Sequence, residues 1–233
     1  MTSQIQGYKR KHFSSRRSHG FHYALFASRY SGGNSSGKSM GIVASDFLVT
    51  LGTSGGGTAE KQAGTFMHEL GHNLGLRHGG GDNTHRKPNY LSIMNYSFQF
   101  RGVPHSRGNR FDYSHTRLPS LNERDLNEFD GIGCEEGYGT IMRTSSGNDR
   151  FIADASGRID WNRSGRFVSN LSQSINGDNN RSLLKGFDDW QSLNFQGGGM
   201  ISDEIGEGAG VALRRVPSVT LPGDDEDCPP DED

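Results

Sequence analysis

Four side chains with metal-binding or acid–base chemistry lie together in HELGHNLGLRH, residues 68–78. On a helix, His68 and His72 are one turn apart on the same face, so their imidazole rings can reach one metal ion. Imidazole nitrogen is a good zinc ligand, and a catalytic zinc site uses three protein ligands and keeps one position open for water. Glu69 lies about 100° further around the helix, where its carboxylate can reach that water without displacing a histidine.

The third predicted zinc ligand, His78, follows a glycine that can end the helix. Gly75 comes three residues after His72 and can adopt a left-handed conformation, which would turn the chain back towards the metal. A lone HExxH pattern carries little weight, because histidines on helices are often surface or packed residues. The longer pattern HExxHxxGxxH arises by chance on the order of once in ten thousand chains of this length and composition.

The segment HELGHNLGLRH resembles the zinc motif of the metzincin peptidases, in which three histidines bind zinc and the glutamate is the base. Metzincins also place a methionine in a tight turn beneath the zinc, and SIMNY, residues 92–96, supplies Met94 at a matching position. The sequence NLGLRH is similar to the reprolysin branch. Tyr96, two residues after Met94, is similar to the astacin, serralysin and pappalysin branches.

The resemblance implies an α+β fold of two subdomains, with a small mixed sheet, an active-site helix and a helical C-terminal part. Residues 1–195 would form the catalytic domain, with an upper subdomain over about 1–75 and a lower one over about 76–195. Residues 196–222 would be a C-terminal extension, and the acidic residues 223–233 a disordered tail. In this clan the substrate pairs with an edge strand, which is predicted here at Gly41–Ser45.

The function that this resemblance implies is hydrolysis of internal peptide bonds in polypeptides. Zinc would activate a water molecule and polarise the scissile carbonyl, and Glu69 would accept the proton of that water. Tyr96 would bind the zinc or stabilise the developing oxyanion, unless it is only a packed residue. Two alternatives stay open: a catalytically silent adhesion or binding module that keeps the zinc, and a zinc hydrolase that acts on something other than peptides.

The remaining elements are predicted from hydrophobic pattern and turn residues. We expect residues 1–19 to be irregular, residues 20–28 to form a strand, residues 31–39 a flexible loop, and Gly41–Ala44 and Phe47–Leu51 two short strands. Apolar residues spaced by three or four predict a helix from Thr58 to Gly75. In the second half, a capping-box pattern at Ser120 and Glu123 predicts a short helix ending near Gly131. An amphipathic pattern predicts another from Leu183 to Asn194.

A second metal site, for calcium, is suggested by DWNRSG, residues 160–165. Asp160, Asn162 and Ser164 place oxygens at positions 1, 3 and 5 of a loop with Gly165 at position 6, as in calcium-binding loops. Position 12 is Leu171 instead of an acid, so an ordinary turn rich in Asx residues is the alternative.

Composition and charge indicate which partners and compartments to expect. The chain has 25 basic and 27 acidic residues, and seven of the acids lie in the last eleven residues. The basic run YKRKHFSSRR, residues 8–17, is interpreted as solvated surface, so no nucleic-acid partner is predicted. No segment is long and apolar enough to cross a membrane. A secreted monomer is expected, although the chain carries no apolar leader.

The remaining histidines and the two cysteines carry no site prediction. His12, His19, His22, His85, His105 and His115 show no spacing that suggests ligands, so we interpret them as surface or packing residues. Cys134 and Cys228 could form one disulfide or remain two separate thiols.

Overall fold

A three-stranded sheet lies against the longest helix in the N-terminal third of the protein. The computed structural model describes residues 2–18, 20–30 and 34–195. The sheet contains β1 (Tyr23–Phe26), β2 (Gly37–Ser39) and β3 (Asp46–Val49) in the order β1-β3-β2. β1 runs parallel to β3 and β2 runs antiparallel to it, so the predicted small mixed sheet is confirmed.

Helix α2 (Ala59–Asn73) carries the zinc motif and confirms the predicted helix. It begins where the side chain of Thr58 accepts a hydrogen bond from the backbone N–H of Lys61, a normal N-terminal cap. Phe66 and Leu70 pack on the buried side chains of β3, chiefly Phe47, and so fix the helix against the sheet.

The N-terminal residues are helical, so the prediction of an irregular segment over 1–19 is wrong. Helix α1 covers Thr2–His12, and a single 3₁₀ turn follows at Ser15–Arg17. The ammonium group of Lys9 pairs with the carboxylate of Asp46 at 2.5 Å, with both side chains nearly buried. This contact joins positions 37 residues apart, so no pattern within residues 1–19 could reveal it.

The position of the sheet edge also differs from the prediction. Residues 37–39, expected in a loop, form the edge strand β2, whereas Gly41–Ala44, expected as a strand, lies in the turn between β2 and β3. The backbone N–H of Met40 bonds to Asp46, and that of Ala44 bonds to the carbonyl of Asn73 at the end of α2. A serine- and glycine-rich strand is possible here because its backbone pairs with β3.

The second half of the described chain consists of loops, two short strand pairs and several isolated bridges around its own core. The strands are β4 (Leu121–Asn122), which pairs with β7 (Leu183–Leu184), and β5 (Thr140–Arg143), which pairs with β6 (Asp149–Ile152). Trp161, fully buried, lies in the core that these strands share. Within residues 74–195 no α-helix is present, so the helices predicted at 120–131 and 183–194 are wrong.

The α+β fold class is therefore confirmed, and the described residues belong to one compact unit. The division into an upper and a lower subdomain near residue 75 stays a prediction. The predicted extension at 196–222, the tail at 223–233 and Cys228 lie outside the described residues. Among the described helices, none has the length and apolar character needed to span a membrane.

Candidate metal centre

His68, Glu69 and His72 project from the last two turns of α2, which is packed between the sheet and the C-terminal loops. The Nδ1 atom of His68 lies 3.1 Å from the carbonyl oxygen of Ile93, and Nδ1 of His72 lies 2.8 Å from that of Leu76. A carbonyl oxygen only accepts hydrogen bonds, so each Nδ1 carries the proton and each Nε2 keeps a free lone pair.

The turn that brings His78 back to the helix has the predicted geometry. Gly75 has a φ of +96°, which ends α2 in a left-handed conformation. The backbones of Arg77 and Gly80 then exchange two hydrogen bonds of 2.9 and 2.8 Å, and His78 lies at the tip of the tight turn between them.

The three histidines converge to form a metal-binding group. Each offers one ring nitrogen, and the three atoms lie within 4.8 Å of one another; Nε2 of His72 is 3.1 Å from Nε2 of His78. Burial lowers the pKa of His68 and of His78 to about 3, with the neighbouring His72 lowering both further. Neutral imidazoles with free Nε2 lone pairs are the form that binds zinc, so these residues fit that ion.

Glu69 lies beside this cluster in a pocket formed by the edge strand. Its side chain is nearly buried, and burial raises its pKa to about 7 against the opposing effects of a hydrogen bond from the backbone of Ser39 and the charge of Lys38. A Cβ atom added to Gly37 would lie 2.6 Å from Oε1 of Glu69. The glutamate therefore occupies space that only glycine leaves free.

The turn containing Met94 lies directly beneath α2. Met94 is fully buried, and a Cβ added to Gly71 would lie only 2.2 Å from its sulfur, so the thioether rests on the helix backbone between the two zinc-motif histidines. The same turn supplies the carbonyl of Ile93 that orients His68. Packing and a hydrogen bond thus couple this turn to the histidine cluster.

Asp189, from the segment wrongly predicted to be a helix, holds this turn in place. Its buried carboxylate accepts hydrogen bonds from the hydroxyls of Tyr90 and Ser92 and from the backbone N–H of Ser114. Ser92 in turn accepts a bond from the backbone N–H of Met94 at 3.1 Å. No sequence signal marks Asp189, because its partners are 75 to 99 residues away.

Tyr96 lies at the open side of the cluster, as the prediction of its role requires. Its ring centroid is 4.2 Å from that of His78 and 5.5 Å from that of His68, and its side chain is 38% exposed. Partial burial raises its pKa, and the negative charge of Glu69 raises it further, so its hydroxyl keeps its proton.

His85, interpreted from the sequence as a surface or packing residue, also lies at this site. Its ring is 5.0 Å from that of His78 and stacks on Tyr96 at 5.1 Å with an interplanar angle of 14°. The seven-residue spacing from His78 matches no metal-binding pattern, so the sequence contained no signal for it.

A cleft of about 410 Å³ opens above these groups. It is lined by residues of β2 and the turn after it, and also by His68, His72, His78, Glu69 and Tyr96. The edge of the sheet and the three histidines therefore border the same space.

The structure does not support the predicted calcium site. Both carboxylate oxygens of Asp160 accept backbone hydrogen bonds, from Ser164 at 3.0 Å and from Gly165 at 2.9 Å. Asn162 also accepts from Ser164. An Asx-rich turn explains the pattern, and in the described residues the three histidines are the cluster that could hold a metal ion.

The family model of the reprolysin-like metallopeptidases of family M12B matches residues 4–79. The resemblance to the metzincin zinc peptidases is confirmed. The reprolysin-like segment contains α1, the mixed sheet and α2, and it ends one residue after His78. Together with the three-histidine cluster it supports a zinc peptidase in general. Neither the curated proteins nor the solved structures gave a match to the chain.

Proposed function

We propose that this protein is a zinc-dependent endopeptidase that hydrolyses internal peptide bonds of polypeptides. The observation that supports this most directly is the position of Glu69. A buried carboxylate lies beside three neutral histidines whose free nitrogens converge, and both face a cleft bordered by a sheet edge. A general base, three ligands and a surface for an extended chain are the parts that this reaction needs.

The edge strand at which a substrate would pair is β2, Gly37–Ser39, instead of the predicted Gly41–Ser45. β2 forms the outer strand of the sheet and lines the cleft. Backbone pairing along this edge would hold a peptide extended and would bring one of its carbonyl groups over the histidines. Side-chain preferences would then come from the walls on either side.

Zinc held by His68, His72 and His78 would supply Lewis-acid activation of water and of the scissile carbonyl. Glu69, buried beside the three histidines and lining the cleft, accepts the proton of the attacking water and delivers it to the leaving nitrogen. The Tyr96 hydroxyl, protonated and facing the cleft, donates a hydrogen bond to the oxygen that gains negative charge.

Met94 and the turn around it act through His68. The carbonyl of Ile93 fixes which nitrogen of His68 carries the proton, and the Met94 thioether fills the space below the helix. We propose that this turn corresponds to the methionine turn of the metzincins. Its role is to position the first histidine and Tyr96 relative to each other.

Two other functions are compatible with a three-histidine zinc site. A silent binding module would keep the histidines without using a base, but Glu69 is intact, buried and directed into the cleft. A zinc hydrolase for non-peptide substrates would use the same groups, but the open sheet edge beside them favours an extended polypeptide.

Zinc analysis combined with a peptide-library assay separates these functions. The purified protein should contain about one zinc per chain and should cleave internal bonds. Glu69→Gln should retain the zinc and lose cleavage, whereas His78→Ala should lose zinc. Near-native cleavage by Glu69→Gln would show that the proposed mechanism is wrong. Stoichiometric zinc without any cleavage of the library would instead favour the binding module or a non-peptide substrate.

A further inference from the structure

A second cavity, of about 770 Å³, lies beside the zinc cleft. Tyr96 lines both spaces, so the two are neighbours. The residues that line the second cavity are polar apart from Gly177, and His85, Arg86, Arg143 and Asp178 carry titratable groups there besides Tyr96. None of these arginines or acids takes part in the mechanism described above.

The two arginines share a single carboxylate. Arg143 lies 2.8 Å from Oδ1 of Asp149, and Arg86 lies 3.8 Å from the same oxygen. Asp149 is not among the residues that line the cavity, so its charge is behind the guanidinium groups. Asp149 behind this wall and Asp178 within it balance the two arginines in formal charge, so what the wall offers an anion is the guanidinium N–H donors rather than an excess of charge.

Local contacts restrict where the two arginines lie. Arg86 has a φ of +58°, a conformation that residues other than glycine rarely adopt and that is concentrated at functional sites. The aliphatic part of Arg143 packs on Gly177, whose φ is +80°, and a Cβ there would lie 2.7 Å from Cγ of the arginine. This packing and the ion pair with Asp149 restrict the Arg143 side chain, and Arg86 contacts the same carboxylate.

Asp178 is the acidic residue of the cavity wall, and its carboxylate already has donors. Oδ1 accepts a hydrogen bond from the backbone N–H of Asn180 at 2.8 Å, and Oδ2 accepts one from Nδ2 of Asn176 at 3.1 Å. A cation entering the cavity would compete with these bonds and would be repelled by two arginines. The guanidinium groups of Arg86 and Arg143 are therefore the part of this wall that would pair with a charged ligand, and they match an anion.

We propose that Arg86 and Arg143 form a subsite that binds a carboxylate of the polypeptide substrate next to the scissile bond. This rests on the proposed peptidase function and adds a specificity to it. Planar guanidinium groups match a carboxylate in geometry and charge. The carboxylate belongs to an Asp or Glu side chain or to the C-terminus of the peptide, both of which present the same group.

The subsite is within a few residues of the bond that is cleaved. Arg86 follows His85 directly, and the His85 ring is 5.0 Å from that of the zinc-ligand candidate His78. An extended chain advances about 3.3 Å per residue. A carboxylate one to three residues from the scissile bond can therefore reach the two arginines while the carbonyl lies over the histidines.

The test compares peptides that differ only in Glu or Gln at each of the three positions on either side of one cleaved bond. Both ends are blocked in this set, and a further peptide has a free C-terminal carboxylate. We expect kcat/KM to be about tenfold higher for Glu than for Gln at one position, or for the free over the amidated C-terminus. A response in the Glu/Gln set identifies a side-chain carboxylate as the ligand, and a response to the free C-terminus identifies the terminal carboxylate.

Three variants assign that preference to the arginines. Arg86→Gly removes a guanidinium and suits the left-handed backbone, and Arg143→Gln removes the other. Arg163→Gly is the matched control, because Arg163 also has a positive φ, of 60°, but is exposed and lies outside this cavity. In the first two variants the preference for Glu over Gln should fall below about twofold, with the melting temperature measured on the same samples. Arg163→Gly should keep the full preference.

A binding measurement keeps the subsite separate from the peptidase function. Glu69→Gln, loaded with zinc and unable to cleave, is titrated with fluorescently labelled Glu and Gln peptides. Tighter binding of the Glu peptide supports the subsite if adding Arg86→Gly or Arg143→Gln abolishes the difference. That result would stand even if the wild-type protein cleaved neither peptide, because absence of cleavage contradicts only the peptidase proposal. Equal binding and equal cleavage of all pairs, or a preference that survives both arginine variants, would overturn the subsite.

Discussion

Gly37 determines where the proposed base can lie, although it carries no functional group. In Gly37→Ala the new methyl group would be 2.6 Å from Oε1 and 2.7 Å from Cγ of Glu69, whereas an ordinary contact begins near 3.4 Å. The carboxylate must therefore retreat by roughly 0.8 Å or the strand must shift. Either movement changes the distance between Glu69 and a water molecule held over the histidines.

A misplacement of about 1 Å in reacting groups can cost about 10²-fold in rate. We therefore expect Gly37→Ala to lower kcat/KM by about 10- to 100-fold, equivalent to about 1.4 to 2.7 kcal/mol in the activation barrier. The atoms nearest to the added Cβ belong to Glu69 and Leu48 and not to a histidine, so the zinc content should remain that of wild type. The assay is steady-state cleavage of a peptide substrate, with zinc measured on the same samples.

Gly41→Ala is the matched control, because Gly41 lines the same cleft and its added Cβ would meet nothing closer than 3.4 Å. It should retain activity within about twofold. The new methyl of Gly37→Ala would also approach the carbonyl of Leu48 at 2.8 Å, so the melting temperature must be measured as well. Turnover near wild type in Gly37→Ala, or a loss of activity that only follows lost stability, would refute the positioning argument.

Three further predictions concern the tyrosine, the buried aspartate and the metal. Tyr96→Phe should lower turnover by about 10²–10³-fold with unchanged zinc content, because it removes only the proposed oxyanion donor; steady-state kinetics measure this. Asp189→Ala should lower the free energy of unfolding by about 3 kcal/mol in urea titrations, because it leaves Tyr90 and Ser92 without their buried acceptor. Removing the metal with a chelator should lower the melting temperature, and zinc but not calcium should restore it.

Each of these predictions has an internal control. Tyr30 lines the same cleft, so Tyr30→Phe should leave turnover unchanged; an equal loss in both variants would show that the assay does not report on Tyr96 specifically. Asp188→Ala removes the neighbouring carboxylate, whose described bond is to a local backbone N–H, and should cost less than about 1 kcal/mol. Full recovery of the melting temperature with calcium alone would contradict the assignment of the ion.

The convergence of the three candidate zinc ligands could be predicted from the sequence because their geometry is local. His68 and His72 follow from the period of a helix, and Gly75 from the left-handed turn that it adopts. The groups that complete the site were not predictable in this way. His85 and Asp189 reach the site through contacts made by loops. The role of Gly37 depends on the close approach of the Glu69 side chain, which the sequence does not reveal.

The error at residues 120–131 has a physical cause in Glu123. The pattern of Ser120 and Glu123 predicts a capping box, in which the glutamate bonds to a helix start. Instead the Glu123 carboxylate is fully buried and accepts hydrogen bonds from the backbone N–H groups of Ile175 and Ser182, more than fifty residues away. A side chain that satisfies distant loops cannot also cap a local helix, so the long-range partners decided the structure.

Glu128 repeats this arrangement and explains how a region with little regular structure is held together. Its buried carboxylate accepts hydrogen bonds from the backbone N–H groups of Trp161 at 2.7 Å and Val168 at 3.1 Å. Loops leave many backbone donors without partners, and an unpaired buried donor is costly. Two glutamates, each accepting from separate loops, supply those partners and fix the loops around Trp161. Ile175, which donates its backbone N–H to Glu123, also accepts a hydrogen bond from the backbone N–H of Arg143 at the end of β5 and precedes Asn176 of the cavity wall, so the Glu123 carboxylate also helps to set the shape of the proposed subsite.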